Sequence, residues 1–325
     1  MMTITAKINK WNPDKAIISR AAEILRSGGL VAFPTETVYG LGADALNSEA
    51  VRKIYEAKGR PSDNPLILHV YNMAQAESLV FMNDIARKLA KIFWPGPLTF
   101  VLPAREIIPL RTRGGLETAA VRMPDNPVAL ALIEAANIPI AAPSANLSGR
   151  PSPTDSQSVY QDMNGRIDFI LDGGNTEVGI ESTVIDLSNP EKILMLRPGG
   201  MSREIIEEAV NMKLQVPDNT SKKRSPGTRY KHYSPSIPVK ILRRDKDINI
   251  PANSGFMGLS NLENENFAER IIFDDIANYA HGLFSGFRKF EHENLACIFV
   301  EWPEENSGIS EGLRDRILRA AGDFV

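Results

Sequence analysis

One stretch, residues 29–70, constrains the fold more than any other part of the chain. It begins with an apolar run that ends at Pro34, which is typical of a buried strand followed by a turn. A polar segment with Gly40 and Gly42 comes next, and we interpret it as a loop whose backbone approaches a ligand closely. A helical period follows, and a second apolar run, 66–70, closes the stretch. Polar groups at the ends of buried strands are how α/β proteins build ligand sites.

The rest of the chain continues this alternation of strands and helices, and a length of 325 residues favours about two domains. Residues 1–210 carry most of the alternating elements and form the first predicted domain. Residues 211–238 contain a cluster of lysines and arginines between 222 and 231, with prolines and serines and few large apolar side chains. Such a composition is typical of a linker. Residues 239–325 return to alternating strands and helices and predict a small parallel-sheet domain.

Composition narrows the functional classes. With 43% hydrophobic and 24% charged residues, the chain is typical of a soluble globular protein. A net charge of −3 and a pI near 5.9 argue against a globally basic nucleic-acid binder and leave a local basic patch open. The single cysteine, Cys297, excludes an internal disulfide framework and a multi-cysteine zinc site. No apolar stretch has the length of a signal peptide or a membrane span, so we expect a cytoplasmic protein without membrane contact.

Cations recur where apolar runs end. Lys58 and Arg60, then Arg122, then Arg197 each stand in a turn that Gly or Pro bounds. Arginine offers a planar fork that matches carboxylate or phosphate oxygens, and lysine supplies a point charge. If they converge on one cleft, these side chains would hold a polyanion such as a nucleoside triphosphate. The alternative, a solvated turn residue, is reasonable for any one of them and much less so for the four together.

Hydroxyl, amide and imidazole groups accompany these cations. Ser144 and Asn146 share one polar turn after a strand, and Ser182 lies where a later strand begins, although both patterns are common in ordinary turns. His69 lies inside an apolar run, where a histidine is more often a core residue than a catalytic one. Arg122 has a stronger functional claim, because an arginine that follows a buried strand needs an anionic partner.

Signatures of several other site classes are missing from the sequence. It contains no GxxxxGK[ST] loop, no GxGxxG that opens a helix after a strand, no HExxH and no GxSxG. Its four histidines are widely separated, which argues against a His-rich metal site. Any bound phosphate must therefore use a cradle other than the P-loop. Thr35 and Glu36 follow the first strand and are explained equally well as turn caps.

Two short patterns carry a resemblance to a known family. Lys58-x-Arg60 together with Ser144-x-Asn146 resembles the KxR…SxN signature of the YrdC-like family. The surrounding phrases FPTETVYGLG, KGRPSDNPLILHV, WPGPLTFVL, VRMP and APSANLSGRPSPT are similar to that family as well. The resemblance covers about residues 15–205. The linker and the C-terminal unit resemble the longer, two-domain members of the family.

The resemblance implies a twisted mixed-sheet domain of YrdC type, followed by a linker and a small Rossmann-like parallel α/β domain. It implies a nucleotidyltransferase that joins L-threonine, bicarbonate and ATP into threonylcarbamoyl-AMP and releases pyrophosphate. Mg²⁺ would accompany ATP and bridge its phosphates, because the sequence shows no all-protein metal cage. A tRNA-modifying threonylcarbamoyl transferase complex would pass the product to an adenosine next to the anticodon. The family tends toward monomers, so we expect a monomer.

Carried over position by position, the resemblance assigns residues to two substrates. The residues implied to hold L-threonine are Thr35, His69, Arg122 and Ser182, with Arg122 on the α-carboxylate. The residues implied to surround ATP are Lys58, Arg60, Asn64, Thr118, Ser144, Asn146, Ser152 and Arg197. The signature residues Lys58, Arg60, Ser144 and Asn146 form the predicted catalytic set.

The linker segment YKHYSP, residues 230–235, resembles the segment that folds over the cleft in this family. The resemblance therefore implies a lid in which Tyr233 contacts ATP. Such a lid would keep water away from a carbamate and from a labile mixed anhydride. The alternative is a passive tether between the two domains.

Two other functions compete with this interpretation. YrdC-like domains are also associated with double-stranded RNA, and the cluster at 222–231 would suit an RNA-binding module without adenylate-forming activity. The acidic total charge and the missing array of stacking aromatic residues argue against that function. The carbamoyl-adenylate chemistry of hydrogenase-maturation proteins is the other alternative. Those proteins carry additional zinc-finger-like cysteines, whereas this chain has one cysteine.

Overall fold

The structure is a computed structural model that describes residues 2–218, 233–242, 250–262, 266–305 and 308–322. Among these residues, no helix combines the length and the apolar character that crossing a membrane requires. The basic cluster predicted at 222–231 and the first half of the predicted lid lie outside the described residues.

The first part of the chain alternates short strands with helices. In chain order its described elements are β1 (Ile4–Lys7), α1 (Lys15–Arg26), β2 (Val31–Phe33), β3 (Gly40–Asp44), α2 (Ser48–Lys58), β4 (Ile67–His69), α3 (Met73–Leu79), α4 (Asp84–Phe93), β5 (Leu98–Pro103), β6 (Thr118–Arg122), α5 (Pro127–Ala136), β7 (Ile140–Ala141), α6 (Ser156–Met163), β8 (Phe169–Asp172), β9 (Thr183–Asp186), β10 (Leu194–Arg197) and α7 (Arg203–Val210). These strands form a ten-stranded sheet in the order β1-β8-β2-β3-β7-β4-β6-β5-β9-β10.

The sheet mixes parallel and antiparallel pairs, as expected from the resemblance. Strands β4 and β6 are parallel, and their register places His69 directly beside Arg122. Strand β7 pairs antiparallel with both β3 and β4, so the turn after β7 lies beside the first residues of β3 and β4. His69 and Arg122 stand at the last residues of two short neighbouring strands, and the turn reaches the same cleft from the other end of β4.

Helix α2 positions the first half of the family signature. The Asn47 side chain accepts hydrogen bonds from the backbone N–H groups of Glu49 and Ala50 and so caps the start of the helix. Gly59, with φ of 62°, ends the helix in the left-handed conformation that glycine adopts most easily. Lys58 is therefore the last helical residue, and Arg60 follows immediately in the turn.

One sequence expectation was wrong in this region. Gly40 and Gly42 do not form a ligand-binding loop but belong to strand β3, which pairs antiparallel with β2. A Cβ atom on Gly42 would lie 2.9 Å from the Phe33 ring and 2.8 Å from the Ile140 side chain. The glycine is thus required by close packing inside the sheet. Of these two glycines, Gly40 lines the cleft described below and Gly42 does not.

The C-terminal part forms a second, smaller sheet. Its described elements are β11 (Val239–Leu242), β12 (Ser254–Gly258), β13 (Glu269–Ile272), α8 (Ile276–His292), β14 (Cys297–Glu301) and α9 (Ser310–Ala321). The four strands are all parallel, in the order β11-β14-β12-β13, which confirms the predicted parallel α/β unit. Phe284, Phe287 and Phe290 of α8 are fully buried in its core.

Helix α8 also contacts the first part of the chain. A Cβ atom on Gly179 would lie only 2.3 Å from the backbone of His281, so the two backbones are in direct contact. The Arg288 guanidinium forms an ion pair with Asp162 of α6 at 2.8 Å. Both side chains of this pair are almost completely buried. The two sheets are therefore joined by packed contacts as well as by the linker.

Candidate active site

A cleft is lined by residues of β3, β4, β6 and β10 and by residues of the turns that follow β2 and β7. Its walls consist of Thr35, Thr37, Val38, Gly40, Arg60, Leu66, Ile67, His69, Arg122, Ala142, Pro143, Ser144, Asn146, Glu181, Ser182, Arg197 and Tyr233. The predicted site residues that it brings together are Thr35, Arg60, His69, Arg122, Ser144, Asn146, Ser182, Arg197 and Tyr233.

Arg122 is fixed at the end of β6 by three different groups. Its Nε donates to the Gly96 carbonyl oxygen at 3.1 Å, and its Nη1 donates to the Thr37 hydroxyl at 3.0 Å. Its Nη2 forms an ion pair with Glu36. The guanidinium is 3% exposed and lines the cleft, so it is held in place before any ligand arrives. Such a preorganised arginine is suited to bind a carboxylate.

His69, beside Arg122 in the sheet, is neutral. Burial and, to a smaller extent, the neighbouring Arg122 charge lower its pKa to about 3. Its ring stands edge-on to Phe33, with 6.1 Å between the ring centroids. Its Nδ1 has no hydrogen-bond partner among the described residues. A buried polar atom without a partner in a cleft wall is available to a ligand.

Ser182, predicted to hold threonine, contacts Arg197, which is predicted to bind ATP. Its hydroxyl shares a hydrogen bond with the Thr99 hydroxyl at 2.8 Å. Arg197 donates from Nη2 to the Ser182 carbonyl oxygen at 2.8 Å, and from the same nitrogen to its hydroxyl at 3.3 Å. Thr35, across the cleft, is held by a hydrogen bond from its hydroxyl to the Val38 carbonyl oxygen at 2.7 Å.

Lys58 connects the two halves of the family signature. Its Nζ donates to the carbonyl oxygens of Ser144 and Asn146, both at 2.6 Å. The Ser144 hydroxyl in turn donates to the Asn146 side-chain oxygen at 2.5 Å. Lys58 is absent from the cleft lining and lies behind the turn. In this structure it holds the SxN turn in place, and its contact with ATP stays a prediction from the resemblance.

The cations around the cleft are buried at an energetic cost. Burial lowers the pKa of Lys58 well below its usual value, and it lowers the pKa of Arg60 to about 10. Burial also lowers the pKa of Arg197. Neither Lys58 nor Arg60 forms an ion pair with a described residue. Positive groups that are buried in this way are stabilised by an anionic ligand, and a polyphosphate would supply the missing charge.

Besides Lys58, three predicted ATP residues lie outside the cleft lining. Asn64 and Ser152 are completely buried. The Ser152 hydroxyl donates to Glu181, which does line the cleft. Thr118 lies at the opposite end of β6 from Arg122. For Asn64, Ser152 and Thr118 the contact with ATP stays a prediction from the resemblance.

Sequence reasoning missed two carboxylates of the site. Glu36 pairs with Arg122, and a carboxylate directly after a strand in the TET segment was the only available signal. Glu181 lines the cleft and pairs with Arg316, which lies 135 residues further along the chain. No local pattern in the sequence could have shown that partnership.

The structure describes residues 233–235 of the predicted lid, and Tyr233 lies in the wall of the cleft. It is 4% exposed, lines the cleft, and stacks on Phe284 with ring centroids 5.4 Å apart. Its φ of 69° lies in the left-handed region, which is unfavourable for a bulky side chain and is held by the surrounding contacts. Ser234 continues the segment and donates its backbone N–H to the Gly149 carbonyl oxygen at 2.9 Å.

The fold and the cleft together define a protein of the YrdC-like class, and comparison with family models agrees. The model of the Sua5, YciO and YrdC proteins, described as "Telomere recombination", matches residues 23–199. A second model, described as "Threonylcarbamoyl-AMP synthase, C-terminal domain", matches residues 201–322. The chain therefore belongs to the threonylcarbamoyl-AMP synthase family, in its two-domain form, as the sequence patterns predicted.

Similar proteins cover almost the whole chain. The threonylcarbamoyl-AMP synthase of Pyrococcus abyssi is 41% identical over 99% of this chain and 97% of that protein. The enzyme of the same name from Bacillus subtilis is 42% identical over 95% of this chain and 94% of its own length. The crystal structure of P. abyssi Sua5 complexed with L-threonine superposes with a TM-score of 0.89 at 39% identity, covering 99% of this chain and 98% of that one.

Proposed function

We propose that this protein synthesises L-threonylcarbamoyl-AMP from L-threonine, bicarbonate and ATP and releases pyrophosphate. The observation that carries the proposal is the composition of the cleft. A fixed arginine, Arg122, and a neutral histidine, His69, face the buried cations Arg60 and Arg197 across one small space. One end therefore suits an amino-acid carboxylate and the other suits a polyphosphate. Relatives of the same domain composition carry the name of this activity.

The reaction needs two bond-forming steps. The threonine amine attacks the carbon of bicarbonate, the C–OH bond breaks, and the hydroxyl leaves as water with a proton from the amine, which gives a carbamate. Attack on CO₂ derived from bicarbonate releases only the amine proton. A carbamate oxygen then attacks the α-phosphorus of ATP, the bond to the β-phosphate oxygen breaks, and pyrophosphate leaves with its electron pair. Catalysis of such a transfer consists mainly of positioning and charge stabilisation. The cleft supplies both without a nucleophilic side chain of its own.

The residues of the cleft divide this work. Arg122 binds the threonine carboxylate, and His69 contributes a hydrogen bond but no charge. Arg60 and Arg197 bind phosphate oxygens and stabilise the charge that develops on the leaving pyrophosphate. The SxN turn, held from behind by Lys58, presents hydroxyl and amide groups to the nucleotide.

Tyr233 closes one wall of the cleft and, in this proposal, contacts ATP. Its ring excludes water from the site where the carbamate and the mixed anhydride form, and both species are labile in water. The passive-tether alternative gives Tyr233 no reason to be buried in the cleft wall. Replacement by alanine is expected to slow turnover.

Mg²⁺ enters this proposal with ATP as part of the substrate. Among the described residues, no group of three or more His, Cys, Asp or Glu side chains could hold a metal ion. The cleft carboxylate Glu181 already pairs with Arg316. The described residues therefore fit a Mg²⁺ ion whose ligands are mainly the phosphate oxygens of ATP. Removal of Mg²⁺ by a chelator is expected to abolish turnover.

The proposal also includes the reaction that uses threonylcarbamoyl-AMP. A threonylcarbamoyl transferase complex would transfer the group to the tRNA adenosine next to the anticodon, and this chain would act as a monomer. A direct RNA contact through the cluster at 222–231 stays a secondary hypothesis.

Pyrophosphate release by the purified protein tests the proposal. Release should require L-threonine, bicarbonate, ATP and Mg²⁺ together, and should fall by roughly a hundredfold or more in Arg122→Ala, because the carboxylate loses its charged partner. Lys58→Ala should also impair release by disordering the SxN turn. Arg105→Ala, a surface arginine that contacts the Phe81 ring, is the matched control and should leave release unchanged.

Each partial result has a separate meaning. Release that ignores threonine would keep a nucleotide site and contradict the proposed acceptor. No release from a folded sample with Mg²⁺, together with steeply salt-dependent RNA binding, would favour the RNA-binding function instead.

A further inference from the structure

The C-terminal domain sends one arginine into the wall of the cleft. Arg316 of helix α9 is completely buried, and its Nε donates to a Glu181 carboxylate oxygen at 2.6 Å. Its Nη1 donates to the Pro198 carbonyl oxygen at 3.0 Å. Its guanidinium carbon lies 5.1 Å from the centre of the Tyr233 ring. Arg316 thus contacts a carboxylate, a turn and an aromatic side chain that all border the cleft.

Helix α9 is held firmly enough to position this side chain. A Cβ atom on Gly312 would lie 2.9 Å from both the Cα and the carbonyl oxygen of Gly199, so the helix touches the turn after β10 backbone to backbone. The preceding residue, Glu311, forms an ion pair with Arg203 at 2.7 Å. Two independent contacts therefore fix α9 against the residues that follow Arg197.

Glu181 is an unexpected residue in a cleft built for anions. It lines the cleft beside Arg197, and burial by itself would raise its pKa. The charges of Arg316 and Arg197 and a hydrogen bond from Ser152 outweigh burial and lower the pKa, so the group is a carboxylate at neutral pH. The Glu181 carboxylate therefore lies close to both Arg316 and Arg197. If Arg197 is to bind phosphate, the carboxylate must be kept from pairing with it.

We propose that Arg316 is a positioning residue that holds Glu181 and thereby keeps Arg197 available to the phosphates of ATP. One Glu181 oxygen is paired with Arg316, and the other accepts from the Ser152 hydroxyl. Without Arg316 the carboxylate would turn toward Arg197, neutralise it and repel the nucleotide. The C-terminal domain thus sets the charge of the nucleotide wall. This inference rests on the proposed function, because it assigns ATP to that wall.

Direct binding of a non-hydrolysable ATP analogue with Mg²⁺, measured by calorimetry, tests the role of Arg316. Arg316→Met should weaken binding by roughly tenfold or more, because it leaves a buried carboxylate without its partner. Arg316→Lys should retain part of the affinity. In pyrophosphate release, the KM for ATP should rise in Arg316→Met while the KM for threonine stays within about twofold, as expected for a local change of charge.

A double variant separates charge from scaffolding. Glu181→Gln combined with Arg316→Met removes the competing charge and should restore affinity for the analogue to within about threefold of the wild type. The matched control is Arg314→Met on the same helix, whose Nε donates to the Pro303 carbonyl oxygen inside the C-terminal domain. It should bind the analogue like the wild type. The double variant and Arg316→Lys keep the test decisive if Arg316→Met alone does not fold.

Two results would overturn the inference. Unchanged affinity in a folded Arg316→Met variant would show that Arg316 has no effect on the nucleotide wall. A double variant that stays as weak as Arg316→Met would show that the arginine acts only as a scaffold. If the wild-type protein itself failed to bind the analogue, the proposed function would be contradicted, and this inference with it.

Discussion

His69 and Arg122 are neighbours in the cleft, and burial gives them different roles. It is 4% exposed, and burial together with Arg122 keeps its pKa far below the value of a free imidazole. The ring can therefore exchange a hydrogen bond with a substrate at neutral pH but brings no positive charge. Recognition of a carboxylate is left to Arg122, which the neighbouring strand holds beside it.

The neutral state of His69 predicts a pH dependence of stability. The folded protein binds this proton only near pH 3, whereas the unfolded chain binds it near pH 6.5. Between these values the unfolded state holds more protons, so the free energy of unfolding falls as the pH is lowered, by up to about 1.4 kcal/mol per pH unit. His69→Gln removes this titration and should flatten the decline. Urea unfolding at a series of pH values from neutral to mildly acidic measures it.

A surface histidine provides the control for this prediction. His292 is exposed at the end of α8, and His292→Gln is the matched substitution of a histidine outside the cleft. If His69→Gln and the wild type lose stability at the same rate below pH 6.5, burial does not keep His69 neutral.

At this scale the sequence predicted the side chains of the site better than their partners. The KxR and SxN patterns could be found because they are short and local. The pairing of Glu36 with Arg122 could not, since residues 86 positions apart in sequence (from 36 to 122) meet only in the folded sheet. Lys58 shows the same limit. Its position in the KxR pattern gave no sign that its Nζ donates to two backbone carbonyl oxygens of the SxN turn.

Strand β3 is the element whose glycines were misinterpreted from the sequence. Its glycines predicted a loop, because glycine is unfavourable in a strand interior unless something approaches closely. In the structure the close neighbour is not a ligand but the Phe33 ring on strand β2. The strand lies flat against this ring, and a side chain at Gly42 would meet it.

This packing predicts unequal costs for two similar substitutions. A Cβ atom on Gly42 would lie 2.8 Å and 2.9 Å from side-chain carbons, whereas one on Gly40 would find its nearest neighbours at 3.3 Å. Overpacking of this kind costs about 1–3 kcal/mol. Gly42→Ala should therefore lower the free energy of unfolding by more than Gly40→Ala, as measured by urea denaturation. Equal effects of the two substitutions would mean that the ring moves aside.

Strands at the edges of a sheet were the hardest elements to predict, and the reason is physical. The helix expected within residues 29–70 is present as α2, which begins after the Asn47 cap. Strands β1 and β13 were not predicted. Both lie at the edges of their sheets and carry exposed residues, so they lack the apolar run that marks a central strand.

At the scale of the whole molecule, the family and the fold class predicted from the sequence are confirmed. What could not be predicted is how the two sheets meet. The interface depends on pairs such as Arg288 with Asp162, which lie 126 residues apart. Nothing in the local pattern of either helix distinguishes these residues from solvated charges. Their role becomes visible only when both are buried against each other.

The Arg288–Asp162 pair predicts that this interface contributes to global stability. Asp162 is completely buried and also contacts Arg150 at 3.1 Å. Removing one partner of a buried pair leaves an uncompensated charge, and because Arg150 remains, we expect a loss near the low end of the usual range, about 3 kcal/mol, in Arg288→Met. Lys289→Met, next to it and half exposed, should change stability by less than about 0.5 kcal/mol. Urea unfolding, followed by far-UV circular dichroism, compares them.

A double variant decides whether the lost stability comes from charge or from packing. Asp162→Asn combined with Arg288→Met removes both charges and should recover most of the loss, because a buried pair replaced as a whole is often close to neutral. If Arg288→Met unfolds like Lys289→Met, the pair does not stabilise the interface, and the C-terminal domain is held by its other contacts, such as those at Gly179 and Gly312 and the Arg203–Glu311 pair. If the loss persists in the double variant, the charges are not its cause. The aliphatic stem of Arg288 then joins the two sheets through packing.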